Sequence, residues 1–365
     1  MNAKELAVIE LLRKNPFLTQ QEMADALQMS RPALANLISG LMKAGKITGR
    51  AYILADEKEV VCIGGANVDR KYHLKEKAQL GTSNPANLTV SVGGVARNIA
   101  ENLGRLSHPV RLLTVAGNDA DWEAIVQSSS MHMSISDVNM MNSYSTGSYS
   151  AVLNPDGELI VAMANMDVYE KLSVEYMKEK ERIMMNAAAI IIDLNCPKET
   201  VEYVKSFSQR YSIPFVIIPV SSPKMSHLPD HLTGVTWFIC NRDEAEVYTN
   251  KPIKTDEDWR NAVKSIMDCG VENVIVTAGS KGAMAASKNS EVIHFPAVEG
   301  VSVEDVTGAG DAFVSGVLHG YLLNMDWQQS IKAGLVNAAK TLESNDTVRQ
   351  DLTAEQLEKE LEALQ

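Results

Sequence analysis

The feature that most constrains this 365-residue chain is an alternation of short apolar runs with longer amphipathic segments. The apolar runs have strand length, are rich in Val and Ile, and are mostly continuous. Continuous apolar strands are typical of a parallel sheet covered by helices on both faces, so the pattern predicts an α/β body over residues 56–365. The strand-like runs are Val60–Gly64, Val110–Val115, Ala188–Ile192, Pro214–Val220, Trp237–Cys240 and Val274–Thr277, and helical patterns include Val95–Arg105, Thr200–Tyr211 and Asp256–Cys269.

Two segments interrupt this alternation. Residues 69–92 are polar and extended, and residues 144–165 alternate around an Asn154–Gly157 turn, which predicts a β-hairpin. We expect these inserted strands to form a small β lid. Ligands bind at the carboxyl ends of the strands in open α/β folds, so motifs that follow strands are candidates for the site.

The first 55 residues differ in charge from the remainder. They contain seven Lys and Arg and four Asp and Glu, a net charge of +3, so the remainder carries −15 to give the total of −12. A basic head on an acidic body indicates two different roles. An acidic body repels nucleic acid, so any nucleic-acid contact is expected in the head.

The head contains three predicted helices. The first covers residues 4–14 and ends before Asn15 and Pro16. Thr19 and Glu22 form a capping box for the second helix. Ser30 is a suitable N-cap for a third helix that ends at Gly45, and the Ile47–Leu54 segment after it predicts a short hairpin.

Three short helices with a tight turn before the third, followed by a basic hairpin, resemble a winged helix-turn-helix domain over residues 1–55. In such domains the third helix lies in the major groove and the wing contacts phosphates. The resemblance implies that Arg31, Asn36 and Lys43 face DNA and that Lys46 and Arg50 contact its backbone. The alternative is a small helical dimerisation or packing domain that does not contact DNA.

The strongest motif in the body is Asp305–Phe313, which reads DVTGAGDAF. Small residues at Gly308, Ala309 and Gly310 let the backbone approach a ligand, and their N–H groups begin an apolar helix, which favours an anion. A carboxylate beside such a pocket, here Asp311, can take the proton from a hydroxyl that attacks phosphorus. The alternative is a Gly-rich turn with an acidic residue in the first turn of a helix.

This motif resembles the signature of the ribokinase-like (PfkB) carbohydrate and nucleoside kinases. A second signature, Gly93–Leu103, resembles the N-terminal pattern of that family, and the likeness covers residues 60 to about 350. It implies a ribokinase-like three-layer α/β sandwich with a small β lid. It also implies phosphoryl transfer from ATP, with Mg²⁺ and in many members K⁺, and a homodimer, since related kinases often dimerise through the lid.

The resemblance also implies roles for individual residues. Asp311 would be the base, beside the amides of Gly308, Ala309 and Gly310. The substrate would contact Asn67, Asp69, Gly94 and Asn98, and ATP would contact Asn241, Thr277, Gly279, Gly282 and Asn337. Glu244 would order Mg²⁺ through water, and Asp305 and Val306 occupy the place of the K⁺ ligands. For Asn241 and Glu244 the alternative is a helix cap, and both roles can hold.

A finer resemblance is to the pseudouridine kinases, carried by Ser83–Pro85, the Gly93 signature, the Asp193–Asn195 strand end, Pro219–Ser221 and Asn165–Asp167. A helix-turn-helix extension also occurs in a branch of these bacterial kinases. The implied reaction is phosphorylation of the 5′-hydroxyl of pseudouridine or a related nucleoside. Two alternatives are a kinase for a free sugar such as ribose or fructose, and a transcription regulator that senses a sugar or nucleoside.

Composition excludes several other classes of protein. No run of about 18 apolar residues is present, which argues against a membrane-spanning helix. The first residues lack the apolar segment of a secretory signal. The cysteines Cys62, Cys196, Cys240 and Cys269 are far apart and form no CxxC motif, so we expect free thiols, no zinc site and a cytoplasmic protein.

Overall fold

The computed structural model describes residues 3–14, 18–48, 58–288 and 290–363. The chain divides into two units, Met1–Lys58 and Glu59–Gln365. No helix within the described ranges is long and apolar enough to cross a membrane.

Within its described residues, the N-terminal unit forms three helices, α1 (Ala3–Lys14), α2 (Gln20–Ala26) and α3 (Arg31–Lys43). The helix starts agree with the sequence prediction, because Thr19 and Glu22 cap each other reciprocally and the Ser30 hydroxyl accepts from the Ala33 amide. Residues 49–57, which include Arg50 and most of the predicted hairpin, lie outside the described residues. The helices share an apolar core formed by Val8, Ile9, Leu12, Met23, Leu34, Ile38, Leu41 and Ile47.

The described residues of the C-terminal unit form fourteen strands in three sheets. They are β1 (Glu59–Ile63), β2 (Asn67–Leu74), β3 (Ala86–Gly93), β4 (Val110–Leu113), β5 (Val115–Gly117), β6 (Asn139–Met141), β7 (Gly147–Leu153), β8 (Leu159–Asn165), β9 (Ala187–Asp193), β10 (Phe215–Ile218), β11 (Trp237–Asn241), β12 (Asn273–Thr277), β13 (Ala283–Ser287) and β14 (Ile293–Phe295).

The main sheet has the order β14-β13-β12-β11-β10-β9-β1-β4. The pairs from β4 to β12 are parallel, as the continuous apolar runs predict, whereas β13 and β14 add antiparallel at one edge. The parallel strands end on the same side of the sheet. We call this side the carboxyl edge.

Ten helices accompany these strands in the described part of the unit. One apolar cluster packs under α8, α9 and α10, and a second packs on the opposite face under α4, α5, α11 and α12, so the predicted three-layer architecture is confirmed. The helices are α4 (Val95–Arg105), α5 (Ala120–Ser129), α6 (Val174–Glu179), α7 (Glu181–Met185), α8 (Lys198–Tyr211), α9 (Arg242–Thr249), α10 (Asp256–Met267), α11 (Ala309–Leu322), α12 (Trp327–Leu342) and α13 (Ala354–Glu362).

A second sheet, which we call the small sheet, has the order β3-β2-β7-β8. The two segments that interrupt the sequence alternation both contribute to it, β2 and β3 as one antiparallel pair and β7 and β8 as the other. The hairpin predicted around Asn154–Gly157 connects β7 and β8. A parallel pairing of β2 with β7 joins the two halves.

Candidate active site

The first substrate residues predicted from sequence lie where β1 passes into β2. The Asn67 side-chain amide donates to the Asp69 carboxylate at 2.6 Å. Gly93 is paired with Asn67 in the neighbouring strand, and a Cβ on Gly93 would lie 2.5 Å from Asp69 Oδ2. Because Gly93 has no side chain, the side chains of Asn67 and Asp69 can lie against its backbone.

A carboxylate to which sequence analysis assigned no role organises this end of β1. Asp193, at the end of β9, is fully buried and accepts backbone hydrogen bonds from Gly65 at 2.9 Å and Ala96 at 3.0 Å. It thus ties the loop after β1 to the first turn of α4. Its burial raises its pKa, although these backbone donors oppose the shift. The signal in the sequence was an Asp that directly follows a buried apolar strand.

The first turn of α4 reaches the predicted base. The Asn98 Nδ2 amide donates to Asp311 Oδ2 at 2.8 Å, which joins the two family-like signatures across 213 residues. The other end of the same amide, Oδ1, accepts from Arg97 Nη1 at 3.0 Å. Arg97 is itself buried and paired with Glu101, so the orientation of the Asn98 amide is determined by this network.

The environment of Asp311 gives it the protonation behaviour of a general base that works near neutral pH. Burial raises the pKa of Asp311 to about 7, and repulsion from the Asp193 and Asp69 carboxylates adds to the shift, while Asn98 and Arg97 oppose it. Burial also raises the pKa of Asp69 to about 6, against the influence of Lys71 and Asn67. The structure therefore brings Asp69, Asn98 and Asp311 into one polar cluster.

The helix that carries Asp311 begins without a side-chain cap. Gly308 is the N-cap residue of α11, has φ +84°, and provides no side chain to accept from the first amides. A Cβ at Gly308 would also collide with the backbone of Thr347. The amides of the first helical turn have no partner within α11, although the Ala309 amide donates to the Val306 carbonyl just before the helix, at 3.4 Å. Gly308, Ala309 and Gly310 lie at this uncapped end, where the sequence predicts an anion pocket.

The predicted nucleotide residues follow β11 and β12, which are adjacent at the carboxyl edge, with Asn241 in register with Thr277. The Thr277 hydroxyl donates to the Cys240 carbonyl at 3.4 Å. Gly279 and Gly282 have φ values of +55° and +86°, which residues with a Cβ rarely adopt, so this turn favours glycine. The space around Gly279 is open, so a phosphate can approach the backbone of this loop.

Asn241 and Glu244 form the helix cap that was the alternative reading of this motif. Asn241 Oδ1 accepts from the Glu244 amide at 2.9 Å, and Glu244 Oε2 accepts from the Asn241 amide at 2.8 Å. Burial raises the pKa of Glu244. Its second carboxylate oxygen is not used by the cap.

A magnesium ion bound mainly through water and nucleotide phosphates fits this donor set. In the described residues, no three His, Cys, Asp or Glu side chains cluster so as to hold a metal by themselves. Mg²⁺ usually keeps several waters and takes one or two carboxylates together with substrate phosphates. The free oxygen of Glu244 matches that mode of binding.

The structure does not bring Asn337 to an accessible surface. Its side chain is fully buried on α12 and donates to the Ala312 carbonyl at 2.9 Å and to Asn102 Oδ1 at 3.2 Å. The side-chain oxygen Oδ1 of Asn337 accepts from Arg349 Nε at 3.3 Å. Asn337 therefore holds α4, α11 and α12 together, and an adenine contact through this side chain would require those bonds to break.

The side chain of Asp305 and the carbonyl of Val306, which are the predicted K⁺ ligands, already accept hydrogen bonds from the chain. Asp305 Oδ2 accepts from Lys71 Nζ at 2.8 Å, and Oδ1 accepts from the Thr307 amide at 2.8 Å and its hydroxyl at 2.7 Å. The Val306 carbonyl accepts from the Ala309 amide at 3.4 Å. This arrangement does not fit a bound K⁺ ion, because the Lys71 ammonium already contacts the Asp305 carboxylate that would bind the ion.

In the N-terminal unit, the three residues predicted to face DNA are all exposed. Asn36 and Lys43 lie seven positions apart on α3 and share one face with Ser39 and Gly40, which are also exposed. Arg31 lies at the start of the same helix.

The comparisons with known proteins agree with both units. The family described as "pfkB family carbohydrate kinase" matches residues 57–353, and the family "Winged helix-turn-helix DNA-binding" matches residues 1–48. The uncharacterized sugar kinase YeiI of Escherichia coli (strain K12) is 28% identical over 356 residues, 97% of this chain and 98% of that protein. The pseudouridine kinase of the same organism is 25% identical over 301 residues, 82% of this chain and 95% of that protein.

A solved structure shows the same fold. The ribokinase of Arabidopsis thaliana, determined with ribose and ATP, superposes with a TM-score of 0.73 at 19% identity, and the match covers 83% of this chain and 98% of that chain. At this identity the likeness establishes the fold alone.

Proposed function

Because the chain belongs to the pfkB carbohydrate kinase family, we propose that it transfers a phosphoryl group from ATP to the 5′-hydroxyl of pseudouridine or a closely related nucleoside. The observation that carries this proposal is the contact of Asn98 with Asp311 at the uncapped start of α11. It places a carboxylate of raised pKa beside backbone amides that have no partner within the helix. A hydroxyl nucleophile and a transferring phosphoryl group need these two features together.

In the proposed mechanism Asp311 accepts the proton of the attacking hydroxyl. A positioned general base contributes about 10²–10⁴-fold to the rate. The amides of Gly308–Gly310 donate to the phosphoryl oxygens as negative charge develops, and one such donor is worth roughly 3 kcal/mol. Asn98 holds the Asp311 carboxylate in place and favours its charged form before the substrate arrives.

Asp69 and Asn67 would hold the ribose hydroxyls. Asp69 accepts from Asn67 through Oδ1, which leaves Oδ2 for a substrate hydroxyl. When Asp69 and Asn67 hold the ribose hydroxyls, the 5′-hydroxyl would be turned toward Asp311. Such positioning supplies a large share of the rate enhancement. The small sheet carries Asp69, so it would exclude water from the reacting groups when it covers the ribose.

The nucleotide would lie across the loops that follow β11 and β12. Bound ATP with Mg²⁺ supplies the phosphoryl group and neutralises part of its charge. Gly279 and Gly282 would contact the phosphates through backbone, beside the Thr277 hydroxyl. Glu244 would hold a water of the magnesium shell with the oxygen that its cap leaves free.

The substrate class rests on resemblance. The pseudouridine kinase of Escherichia coli supports a nucleoside, whereas YeiI, similar over almost the whole chain, is described as a sugar kinase. A free sugar such as ribose or fructose therefore remains the second candidate, and a sensing regulator with little activity the third. The second candidate differs from the first in its substrate, and the third differs in having little turnover.

The test is ADP release by the full chain with Mg-ATP and each of pseudouridine, uridine, adenosine, ribose and fructose. We expect the highest kcat/KM with pseudouridine. A preference for ribose or fructose would contradict the nucleoside assignment and support a sugar kinase. Thermal stabilisation by a ligand with no turnover on any substrate would instead support the regulator.

We further propose that the N-terminal unit binds DNA through α3. The winged helix-turn-helix match and the exposed face of Asn36 and Lys43 support this role. The net charge of the head is low for a monomer, since affinity rises with the number of phosphates neutralised. Fluorescence polarisation with labelled genomic fragments should show salt-dependent binding that Lys43→Ala weakens. Binding that is absent at low salt would leave the head as a packing domain.

We also propose a homodimer formed through the small sheet. Leu88, Val90, Val161 and Met163 lie on one face of it and are each about half exposed. Strand register places this face opposite to Asp69. Sedimentation should therefore show a dimer, and Val161→Glu with Met163→Glu should give a monomer. A wild-type chain that sediments as a monomer would contradict the proposal.

A further inference from the structure

The most unusual contact near the candidate site joins the small sheet to the loop before the anion pocket. Lys71 Nζ donates to Asp305 Oδ2 at 2.8 Å and to Thr307 Oγ1 at 3.1 Å. The Thr307 hydroxyl has its single hydrogen directed at Asp305 Oδ1, at 2.7 Å, so its lone pair is available to the ammonium. Lys71, Asp305 and Thr307 thus form a closed ring of charge-assisted hydrogen bonds.

This ring occupies the place where family resemblance put a K⁺ ion. A cation on Asp305 Oδ2 would lie beside the Lys71 ammonium and compete with it for the same oxygen, and like charges at such separation repel. The other carboxylate oxygen is taken by the Thr307 amide and hydroxyl. Burial alone would raise the pKa of Asp305, yet the bonds from Lys71 and Thr307 outweigh it and lower the pKa to about 2.

The position of Lys71 links this ring to the substrate residues. Lys71 follows Asp69 by two positions in β2, so both side chains leave the same face of the small sheet. Thr307 directly precedes Gly308, the N-cap of α11. One strand therefore carries both the carboxylate proposed for the ribose and the ammonium that holds the anion-pocket loop.

We propose that the Lys71 ammonium takes the place of a bound K⁺ ion at Asp305, so that phosphoryl transfer by this enzyme needs no K⁺. Lys71 acts through Asp305 and Thr307 and is thus a positioning residue for the anion pocket. The inference rests on the kinase function proposed above, but a binding measurement tests it separately.

The test compares KCl with tetramethylammonium chloride at equal ionic strength, because tetramethylammonium is too large to enter a site made for K⁺. Wild type should release ADP at the same rate in both salts. In tetramethylammonium chloride, Lys71→Gln should release ADP about tenfold more slowly than wild type, a smaller loss than the removal of a direct anion-pocket donor causes. KCl should restore part of the lost rate. Lys71→Arg should retain the wild-type rate without K⁺. Lys75→Gln, at an exposed lysine of the same segment, is the matched control and should behave as wild type.

Thermal midpoints without ATP provide a readout that does not depend on turnover. KCl and tetramethylammonium should stabilise wild type equally, whereas KCl alone should raise the midpoint of Lys71→Gln. Activation or stabilisation of wild type by K⁺ specifically would overturn the proposal. A loss in Lys71→Gln that KCl does not restore, or no loss, would overturn it as well. If no substrate is turned over, the kinase proposal fails, and the midpoints still decide whether wild type binds K⁺.

Discussion

The helices α9 and α11 both begin with backbone N–H groups that lack partners within the helix, but the two ends satisfy these groups differently. At α9 the chain uses its own side chains, since Asn241 and Glu244 cap each other. At α11 the N-cap residue is Gly308, which has no side chain to offer. The first end is therefore complete in itself, whereas the second lacks a side-chain cap, and we propose that an anion from outside the chain binds there.

The acidic residues of the two first turns differ in the same way. Glu244 uses one carboxylate oxygen within the cap. Asp311 is not used as a cap, and its side chain instead contacts Asn98 on a different helix. The carboxylate of α11 is therefore positioned by tertiary contacts and remains available for chemistry. The following predictions test this difference between the two helix ends.

The largest effect is expected for Asp311→Asn, which removes the proposed base and preserves its shape. Turnover should fall at least about 100-fold, while ATP binding changes little. Folding raises the pKa of Asp311 from 3.8 to about 7, so the native state binds the proton more tightly and loses stability as pH rises between these values. Asn carries no charge, so the thermal midpoint of the variant above about pH 7 should exceed that of wild type.

The matched control is Asp326→Asn, at the N-cap of α12, where the side chain accepts from the Gln328 and Gln329 amides. Asn caps helices as well as Asp does, so turnover should stay near the wild-type value. Near-normal turnover in Asp311→Asn would exclude Asp311 as the base.

The second effect is expected for Gly308→Ala. The positive φ costs a non-glycine residue roughly 1–2 kcal/mol, and the added Cβ meets the Thr347 backbone. Displacement of the pocket amides should lower turnover by about 10²-fold, the value of one lost oxyanion donor. Steady-state kinetics and thermal melts measure both effects. Gly300→Ala, also at positive φ but in open space, is the control, and equal losses in the two variants would contradict a special role of Gly308.

A third prediction concerns pH. Asp311 must be deprotonated to accept a proton, so kcat/KM of wild type should rise with pH through about 7. Asn98 donates to the carboxylate and thus lowers the pKa of Asp311, so Asn98→Ala should move this inflection to higher pH. The position of the inflection, rather than the absolute rate, is the relevant measurement. An unchanged inflection would show that the contact does not control the base.

The smallest effect is expected for Asn241→Ala. Loss of a helix cap costs about 1 kcal/mol of stability, and we expect the KM for ATP to rise as well, since Asn241 is proposed to contact the nucleotide. Thr255→Ala removes the corresponding capping box of α10 and is the control. A KM for ATP that is unchanged in both variants would make Asn241 a cap alone.

Local features of the fold were predictable because they depend on residues close in sequence. The capping boxes of α2 and α9, the hairpin of β7 and β8, and the Gly-rich start of α11 each occupy fewer than about thirty residues, and each has its own pattern of side chains. The parallel strands were predictable for the same reason. Their apolar runs report burial on both faces.

Contacts between distant segments were not predictable in this way. The antiparallel edge of β13 and β14 differs from the parallel sheet expected, because short apolar runs carry no record of strand direction. Asn337 is a polar residue of a type that often lines pockets, yet the packing of α12 on α11 buries its side chain in the core. For the same reason sequence analysis assigned no role to Arg97, Asp193 and Lys71, although Arg97 and Asp193 lie in motifs that carry the family resemblance.

The sequence by itself determined the layer architecture and the two-part organisation of the chain, and it led to the proposal that Asp311 is the base, since periodicity, charge and the glycine pattern at Gly308–Gly310 are local properties. Only the tertiary structure decided which groups meet Asp311 and Asp305. Asn98 and Lys71 reach these carboxylates across 213 and 234 residues, respectively. The partner of a carboxylate depends on which loops the sheet order brings to one edge, and this order is a property of the whole fold.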